Sequence, residues 1–347
     1  MLNLSRLNAL KAPVLDRPVV ILESDDWGPG PEVQVQALDE IRLLLSRFRD
    51  DRGRHPVMTM GVILSVPDVQ AIEESGRYQA RYLNEPEFRS LVDILKQGTG
   101  EAVFDLQLHG MAHYWPSNLM TFLDRGEDVP DRWSKREGWR TESLPSWLQS
   151  RWIDAGTLPS KALPYERVRE AVADEIELFR CCFGMDPKVA VPPTFVWDDN
   201  VERAYGSMGV EVLITPGRRY PGRKGDGALM DSDKQYVNGQ LVRGKMKALV
   251  RDLYFEPALG HRGDKVLEKI SWKWSRREPA LIETHRFNYL GEHARASLDA
   301  LERLLEGVME KFPAVRFMSS RELAREMDGQ GTIWKGGLEV AWKRLRS

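Results

Sequence analysis

Two adjacent carboxylates, Asp25 and Asp26, follow the apolar run at residues 19–22 after Glu23 and Ser24. Ionised acids are costly at the end of a buried strand, because desolvation and mutual repulsion raise their pKa values, whereas a bound cation keeps them charged. Later in the chain, a second apolar segment ends in His109 and His113. Histidines four residues apart lie on one face of a helical turn and can bind one metal ion. An aspartate and two histidines, with room left for water, describe a catalytic metal site rather than a closed structural one.

The segments that must position these residues alternate between apolar strands and amphipathic helices. Strands separated by helices predict βαβ units and a mostly parallel sheet, either doubly wound or closed into a barrel. In both architectures, ligands bind at the carboxyl ends of the strands. The aspartate pair, the histidine pair, the prolines at 192–193 and His285 each follow a strand candidate immediately, so we expect them to converge on one site. The strand candidates are residues 19–23, 58–64, 102–108, 189–191, 212–215, 280–284 and 315–318, and the helix candidates are residues 34–49, 85–97, 164–183, 200–206, 295–312 and 320–327.

Two stretches interrupt this alternation. Residues 114–163 are rich in Trp, Arg, Pro and Ser, which indicates an irregular insertion directly after the histidine pair. Its first residues, Tyr114 and Trp115, must lie near the metal because consecutive Cα atoms are about 3.8 Å apart. Aromatic faces suit sugar rings, so we expect a lid that stacks on sugar; packing against the outside of the barrel is the alternative. Residues 216–246 are rich in Gly, Arg and Lys and indicate a mobile basic loop.

The composition is that of an ordinary soluble globular protein. The chain has 347 residues, of which 42% are hydrophobic and 29% charged. A net charge of −2 gives no reason to expect nucleic acid as a partner, and no apolar run reaches the about 20 residues of a membrane span. The two cysteines are neighbours and do not indicate a disulfide, and residues 1–11 lack a secretory signal. We therefore expect a cytoplasmic protein, whose oligomeric state the sequence leaves open.

Together these motifs resemble those of the NodB-like polysaccharide deacetylases, which belong to the glycoside hydrolase/deacetylase superfamily. The resemblance runs from about residue 19 to residue 327 and includes the late segment 281–289 and the ending at 315–323. It points to divergent bacterial members associated with surface-polysaccharide (O-antigen) biosynthesis, in which Trp-Gly follows the aspartate pair. The resemblance implies an α/β fold, an irregular (β/α)7 barrel, here as one domain over residues 1–347 with the insertion at about 114–163.

The resemblance also implies a role for each motif residue. Asp26, His109 and His113 would bind a divalent metal, zinc or another first-row ion. Asp25 would be the general base that deprotonates metal-bound water, and His285 would be the general acid that protonates the leaving amine or alkoxide. The expected contacts with a carbohydrate substrate are Trp27, Tyr114, Trp115, Pro193 and Trp197.

We therefore expect a metal-dependent hydrolase that removes an acetyl group from a sugar or polysaccharide intermediate. One alternative is a glycosidase of the same superfamily, which would need two carboxylates about 5 Å apart across a cleft. Asp25 and Asp26, as neighbours on a strand, are expected to point different ways. The other alternative is a carbohydrate-binding protein on an inactive scaffold, because residues 191–194 lack the arginine that the family places there to orient the base.

Overall fold

The computed structural model describes residues 12–125, 144–244, 246–327 and 343–344, and in it strands and helices alternate as predicted. The strands are β1 (Val19–Trp27), β2 (Met58–Val62), β3 (Ser65–Pro67), β4 (Ala80–Tyr82), β5 (Phe104–Leu108), β6 (Ile153–Asp154), β7 (Lys161–Ala162), β8 (Val189–Ala190), β9 (Val212–Thr215), β10 (Arg218–Arg219), β11 (Lys234–Gln235), β12 (Leu241–Val242), β13 (Met246–Val250), β14 (Leu253–Tyr254), β15 (Ala280–His285) and β16 (Arg316–Phe317). The α-helices are α1 (Val33–Ser46), α2 (Val69–Ser75), α3 (Arg89–Gly100), α4 (Pro116–Asp124), α5 (Tyr165–Phe183), α6 (Asp199–Ser207), α7 (Gly263–Ser275), α8 (Ala294–Lys311) and α9 (Ser320–Arg325).

One sheet of ten strands dominates the fold and curls on itself. Its hydrogen-bonded order is β12-β13-β9-β8-β5-β2-β1-β15-β14, with β16 beside β1, and every pair except β12 with β13 is parallel. Strands β13 and β14 lie toward opposite ends of this order, yet only Arg251 and Asp252 separate them in the chain. The two ends of the sheet must therefore come within roughly 11 Å of each other. The α/β class and the irregular (β/α)7 barrel expected from the sequence are confirmed.

The interior of the barrel changes from apolar to polar along β1. Alternate strand residues face the same side, so Ile21, Glu23 and Asp25 point inward together. Ile21 packs in an apolar cluster that includes Val189 and Leu281 from neighbouring strands. Glu23 and Asp25 follow it toward the carboxyl end, and all nine residues of β1 are buried. An apolar floor thus supports a buried polar layer beneath the carboxyl ends of the strands.

The helices cover the outside of the barrel with the apolar faces that the sequence indicates. In α8, the buried residues recur at the helical period and include Leu298, Leu301, Leu305 and Val308. They belong to the large apolar cluster between the helices and the outer face of the sheet. No helix among the described residues is both long and apolar enough to cross a membrane.

Strand β13 and helix α7 are absent from the sequence prediction. The composition of residues 216–246 predicts a mobile basic loop, but this segment carries short strands and buried ion pairs. Arg219, for example, is buried and contacts Asp233 and Glu202. Acidic side chains pair with the basic ones here, which a count of basic residues does not reveal.

The insertion after the histidine pair has its own small apolar cluster. Its described part contains α4 and the two-stranded pair β6–β7. Tyr114, Leu119, Phe122, Leu144 and Leu148 pack together in it. Residues 126–143, which contain two of the tryptophans that suggested sugar stacking, lie outside the described residues. The boundaries of the insertion and the single domain over residues 1–347 stay predictions.

Candidate active site

A β-bulge lies at the aspartate pair. The pairing register of β1 with β2 shifts between Ser24 and Trp27, so that β1 carries one extra residue there. Asp26 has a φ of 75°, in the left-handed region that aspartate tolerates better than most residues. Burial lowers the pKa of His109, but Asp25 and Asp26 both act on this ring and together raise it. Asp25 contacts Arg251, whereas Asp26 contacts the two histidines, so the neighbouring acids have different partners.

Strand β2 leaves room for Asp25 by placing a glycine opposite it. A Cβ atom on Gly61 would lie 2.1 Å from Asp25 Oδ1, closer than any real contact. Gly28 is equally confined, since a Cβ there would lie 2.3 Å from the carbonyl oxygen of Ile63. The glycines on both sides of the bulge thus permit the close approach of β1 and β2.

Asp26, His109 and His113 converge at the carboxyl end of the barrel. Asp26 Oδ1 lies 2.9 Å from His113 Nε2 and 3.4 Å from His109 Nε2, and the two Nε2 atoms are 3.0 Å apart. Ligand atoms that bind one zinc tetrahedrally at about 2.0–2.1 Å lie about 3.3 Å from one another. Asp26 Oδ1 is also buried without a hydrogen-bond partner in the described part of the chain. These three residues therefore fit a divalent metal ion.

The histidine pair converges through an irregular turn and not through the helical turn that the spacing suggested. Residues 109–113 are outside any helix, and Gly110 has a φ of 87°, which glycine adopts readily. His109 Nδ1 lies 2.9 Å from the carbonyl oxygen of Val191, at the end of β8. A proton on Nδ1 would donate to this carbonyl and leave the Nε2 lone pair toward Asp26.

Asp25 is held by an arginine that the sequence analysis missed. Arg251 Nη2 donates a hydrogen bond of 2.6 Å to Asp25 Oδ2. Burial raises the pKa of Asp25, but the charge and hydrogen bond of Arg251, together with the nearby His109 and His285, hold the pKa below its ordinary value. Arg251 follows directly after the apolar residues of β13, so it occupies the same strand-end position as the predicted site residues. That position was the signal that could have revealed it.

Arg251 serves three buried carboxylates at once. Besides Asp25, its guanidinium lies 3.3 Å from Glu23 and 3.0 Å from Glu283. One arginine does not balance three negative charges in a buried site, which favours protonation of one of the carboxylates. Burial raises the pKa of Glu23 to about 7, despite the Arg251 charge and a hydrogen bond from Ser320. Glu23 is therefore the carboxyl group of this cluster that takes the proton at mildly acidic pH.

His285 lies beside Asp25 and is paired with a second missed residue, Glu256. His285 is the register partner of Asp25 on β15, and its Nδ1 lies 2.6 Å from Glu256 Oε1. Burial lowers the pKa of His285, but the hydrogen bond to Glu256 and nearby carboxylates raise it to about 10. The side chain keeps 25% of its surface exposed. Asn288 in turn donates to Glu256, which fixes the carboxylate that orients the imidazole. Glu256 comes shortly after β14, again near a strand end.

Three of the expected substrate contacts have no exposed ring face. Trp27 is fully buried and donates from Nε1 to Ser24 Oγ at 2.9 Å. Trp197 is fully buried and donates to Glu202 Oε1 at 3.2 Å. Tyr114 is fully buried within the cluster of the insertion. In this structure these rings pack the protein, so they cannot stack on a sugar.

The other two expected contacts differ from each other. Pro193 is buried and packs against the histidine turn, where a Cβ on Gly110 would lie 3.3 Å from Pro193 Cγ. Trp115 is half-buried, and the guanidinium carbon of Arg151 lies 5.7 Å from the centre of its ring. Of the five expected contacts, Trp115 alone keeps exposed surface for a ligand.

Comparisons with known proteins find one matching family and several similar solved structures of low sequence identity. The sequence model of glycosyl hydrolase family 57 matches residues 84–333, more than two thirds of the chain. A Mycobacterium smegmatis protein classed as a polysaccharide deacetylase is 12% identical, with 94% of this chain and 97% of that chain covered and a TM-score of 0.49. The 4-alpha-glucanotransferase from Thermococcus litoralis is 10% identical, with coverages of 90% and 40% and a TM-score of 0.45. A peptidoglycan deacetylase from Bacillus subtilis is 12% identical, with coverages of 91% and 93% and a TM-score of 0.40. No curated protein sequence matches the chain.

Proposed function

The chain belongs to glycosyl hydrolase family 57, within the glycoside hydrolase/deacetylase superfamily that its motifs indicated, and we propose that it is a metal-dependent hydrolase that removes an acetyl group from a carbohydrate. The observation that carries this proposal is the convergence of Asp26, His109 and His113, with donor atoms 2.9–3.4 Å apart. Two carboxylates suffice for glycosidic cleavage. A buried set of one oxygen and two nitrogen donors is instead what metal-assisted hydrolysis requires.

Two residues beside this cluster carry out the two proton transfers of the reaction. A divalent ion bound there would lower the pKa of a water molecule and polarise the acyl carbonyl. Asp25, kept ionised by Arg251, accepts the proton of the attacking water. His285 donates a proton to the leaving amine or alkoxide. Glu256 accepts the hydrogen bond from His285 Nδ1, so that Nε2 carries the proton to be donated.

The finer parts of the proposal depend on ligand chemistry and on the resemblance. One carboxylate and two imidazoles suit zinc, and other first-row ions also accept such ligands. The resemblance supports a sugar or polysaccharide intermediate of surface-polysaccharide (O-antigen) biosynthesis as the substrate. The net charge of −2 gives no support for a nucleic-acid partner.

A glycosidase is the second candidate, and the family match favours it. The matching family is a family of glycosyl hydrolases, and its match begins at residue 84, after the aspartate pair. The carbohydrate-binding alternative loses its main support, because Arg251 makes the contact with Asp25 that residues 191–194 lack.

The two enzymatic candidates differ in their products. The purified protein, loaded with zinc, is incubated separately with N- and O-acetylated oligosaccharides and with an α-glucan, and acetate and new reducing ends are measured. We expect release of acetate without shortening of the glycan. This release should stop when the metal is chelated and return when zinc is added. His109→Ala protein, prepared in the same way, controls for contaminating hydrolases. New reducing ends without acetate would instead support the glycosidase.

A further inference from the structure

A buried ion pair lies behind the histidine turn. Arg151, from the insertion, contacts Glu175 of α5 through its Nε atom, and the two side chains are only 4% and 0% exposed. Removing two charges from water is costly, and a well-packed apolar pair of the same volume often stabilises a fold as well or better. The pair therefore calls for a role beyond stabilising the fold.

The ion pair holds the backbone on both sides of His113. Glu175 Oε1 accepts a hydrogen bond of 2.9 Å from the backbone N–H of Met111. Arg151 Nη1 donates one of 3.3 Å to the carbonyl oxygen of Tyr114. The turn that carries His113 is thus tied to a single pair of side chains at its start and at its end.

Neighbouring groups fix the ion pair and the turn from other directions. The backbone N–H and hydroxyl of Ser65 both donate to the carbonyl oxygen of Met111, at 2.7 and 3.0 Å. The guanidinium carbon of Arg151 lies 5.7 Å from the ring centre of Trp115 and 5.1 Å from that of Trp152. Cation–π contacts of this kind hold a guanidinium in place once it is out of water.

The two metal-binding histidines differ in how their rings are oriented. His109 Nδ1 contacts the carbonyl oxygen of Val191, the kind of partner that usually orients a metal-binding imidazole. His113 Nδ1 is buried and has no hydrogen-bond partner within the described ranges. The position of the His113 ring therefore depends on the backbone that carries it.

We infer that Arg151 and Glu175 are positioning residues for His113, and that through the backbone of the turn they set the affinity of the site for its metal. This inference rests on the proposed function only in requiring that a divalent ion binds. Residues that orient a metal ligand typically contribute about 10–100-fold in metal affinity. The insertion then acts on the metal site through Arg151, in addition to any contact with substrate.

Zinc affinity, measured by competition with a chelating dye, tests the inference. The variant Arg151→Met/Glu175→Met keeps similar volume and removes both backbone contacts, and we expect its dissociation constant to rise about 10–100-fold. The control variant is Arg180→Met/Glu177→Met, which removes an exposed ion pair on the same helix as Glu175. We expect this variant to keep the wild-type dissociation constant for zinc. If the pair only stabilised the fold, its removal would lower the melting temperature of the apoprotein and leave zinc affinity unchanged. That result in a folded variant would overturn the inference.

A conservative variant covers the case in which the double variant does not fold. Arg151→Lys keeps the positive charge beside Glu175 but loses the planar fork that reaches Tyr114. We expect a dissociation constant between those of the wild type and the double variant, and an unchanged constant would overturn the inference. A wild-type protein that binds no divalent ion would overturn the proposed function and the inference together. Normal wild-type binding with unchanged variants would overturn the inference alone.

Discussion

Arg251 donates a hydrogen bond of 2.6 Å to Asp25, although 226 positions separate the two residues in the chain. Arg251 lies between β13 and β14, at the place where the two ends of the sheet meet. Asp25 lies on β1, which only β15 separates from β14 in the hydrogen-bonded order. The contact therefore joins two strands that are near each other in the sheet but far apart in the chain. The proposed base is oriented by a residue that the fold brings to it and not by its own neighbours in sequence.

Asp25→Asn should keep the metal and lose activity. Asparagine preserves the shape of the side chain but cannot accept the proton of the attacking water, so we expect turnover to fall roughly 10²–10⁴-fold. Metal analysis and steady-state acetate release check this result. Asp26→Asn is the matched variant, and it should lose the metal. If Asp25→Asn loses the metal and Asp26→Asn keeps it, the two roles are exchanged; if neither changes turnover, the hydrolase proposal fails.

His109→Ala should remove the metal and leave the fold intact. In the proposed site the imidazole is one of three protein ligands, whereas the apolar clusters that stabilise the barrel do not include it. Metal analysis should show about one ion per wild-type chain and a small fraction of that in the variant. His293→Ala, at an exposed histidine, serves as the control. Full occupancy in His109→Ala would exclude this residue as a ligand.

Glu256→Gln should shift the pH dependence of turnover toward acid. Burial opposes the charge of His285, but the hydrogen bond to Glu256 and nearby carboxylates raise its pKa to about 10, so the wild-type imidazole stays protonated at neutral pH. A neutral amide at position 256 removes one negative charge and lowers this pKa. Activity relative to wild type should therefore fall as the pH rises, and pH–rate profiles with histidine NMR measure the shift. Glu292→Gln, at an exposed glutamate, should leave the profile unchanged; parallel profiles for Glu256→Gln and wild type would contradict the assignment.

Glu23→Gln should change how stability depends on pH. Burial raises the pKa of Glu23 from 4.5 to about 7, so the folded state binds this proton more tightly than the unfolded chain does. The stability that Glu23 contributes is complete below its unfolded pKa and is lost as the pH rises through the folded value. A shift of this size corresponds to about 3 kcal/mol in the free energy of unfolding. Urea unfolding of both proteins between about pH 4 and pH 8 should show the wild type losing this amount relative to the variant. A difference that does not vary with pH would refute the proton on Glu23.

Trp115→Ala should raise the Michaelis constant for an acetylated oligosaccharide with little change in melting temperature. The half-buried ring packs against the main core without being one of its buried residues, so its loss should weaken sugar binding more than it weakens the core. Kinetics at saturating zinc separate this effect from any effect on the metal. Trp272→Ala, at an exposed tryptophan on α7, is the matched control and should not change the Michaelis constant. A lower melting temperature with an unchanged Michaelis constant would show that Trp115 only packs the insertion.

The sequence predicts the parts of this site that depend on where strands end. The apolar run at residues 212–215 forms β9 with the same bounds. The strand-end positions of Asp26, His109 and His113 predict that they converge, and they lie together in the structure. The bulge has no such signature, because one extra residue within nine buried ones leaves the apolar pattern unchanged. The sequence also does not predict the partners of Arg251, since the carboxylates that it contacts come from other strands.

Gly61 has a consequence for how the chemistry of the site can be dissected. The volume that a methyl group would take at this position is already filled by the carboxylate of Asp25. Gly61→Ala would therefore displace Asp25 by crowding alone, with every ionisable group and every donor atom of the site still present. Substituting Asp25 tests what its carboxylate does, whereas a methyl group on the opposite strand tests how closely that carboxylate must be placed. The position of the proposed base can therefore be changed while its carboxylate is kept.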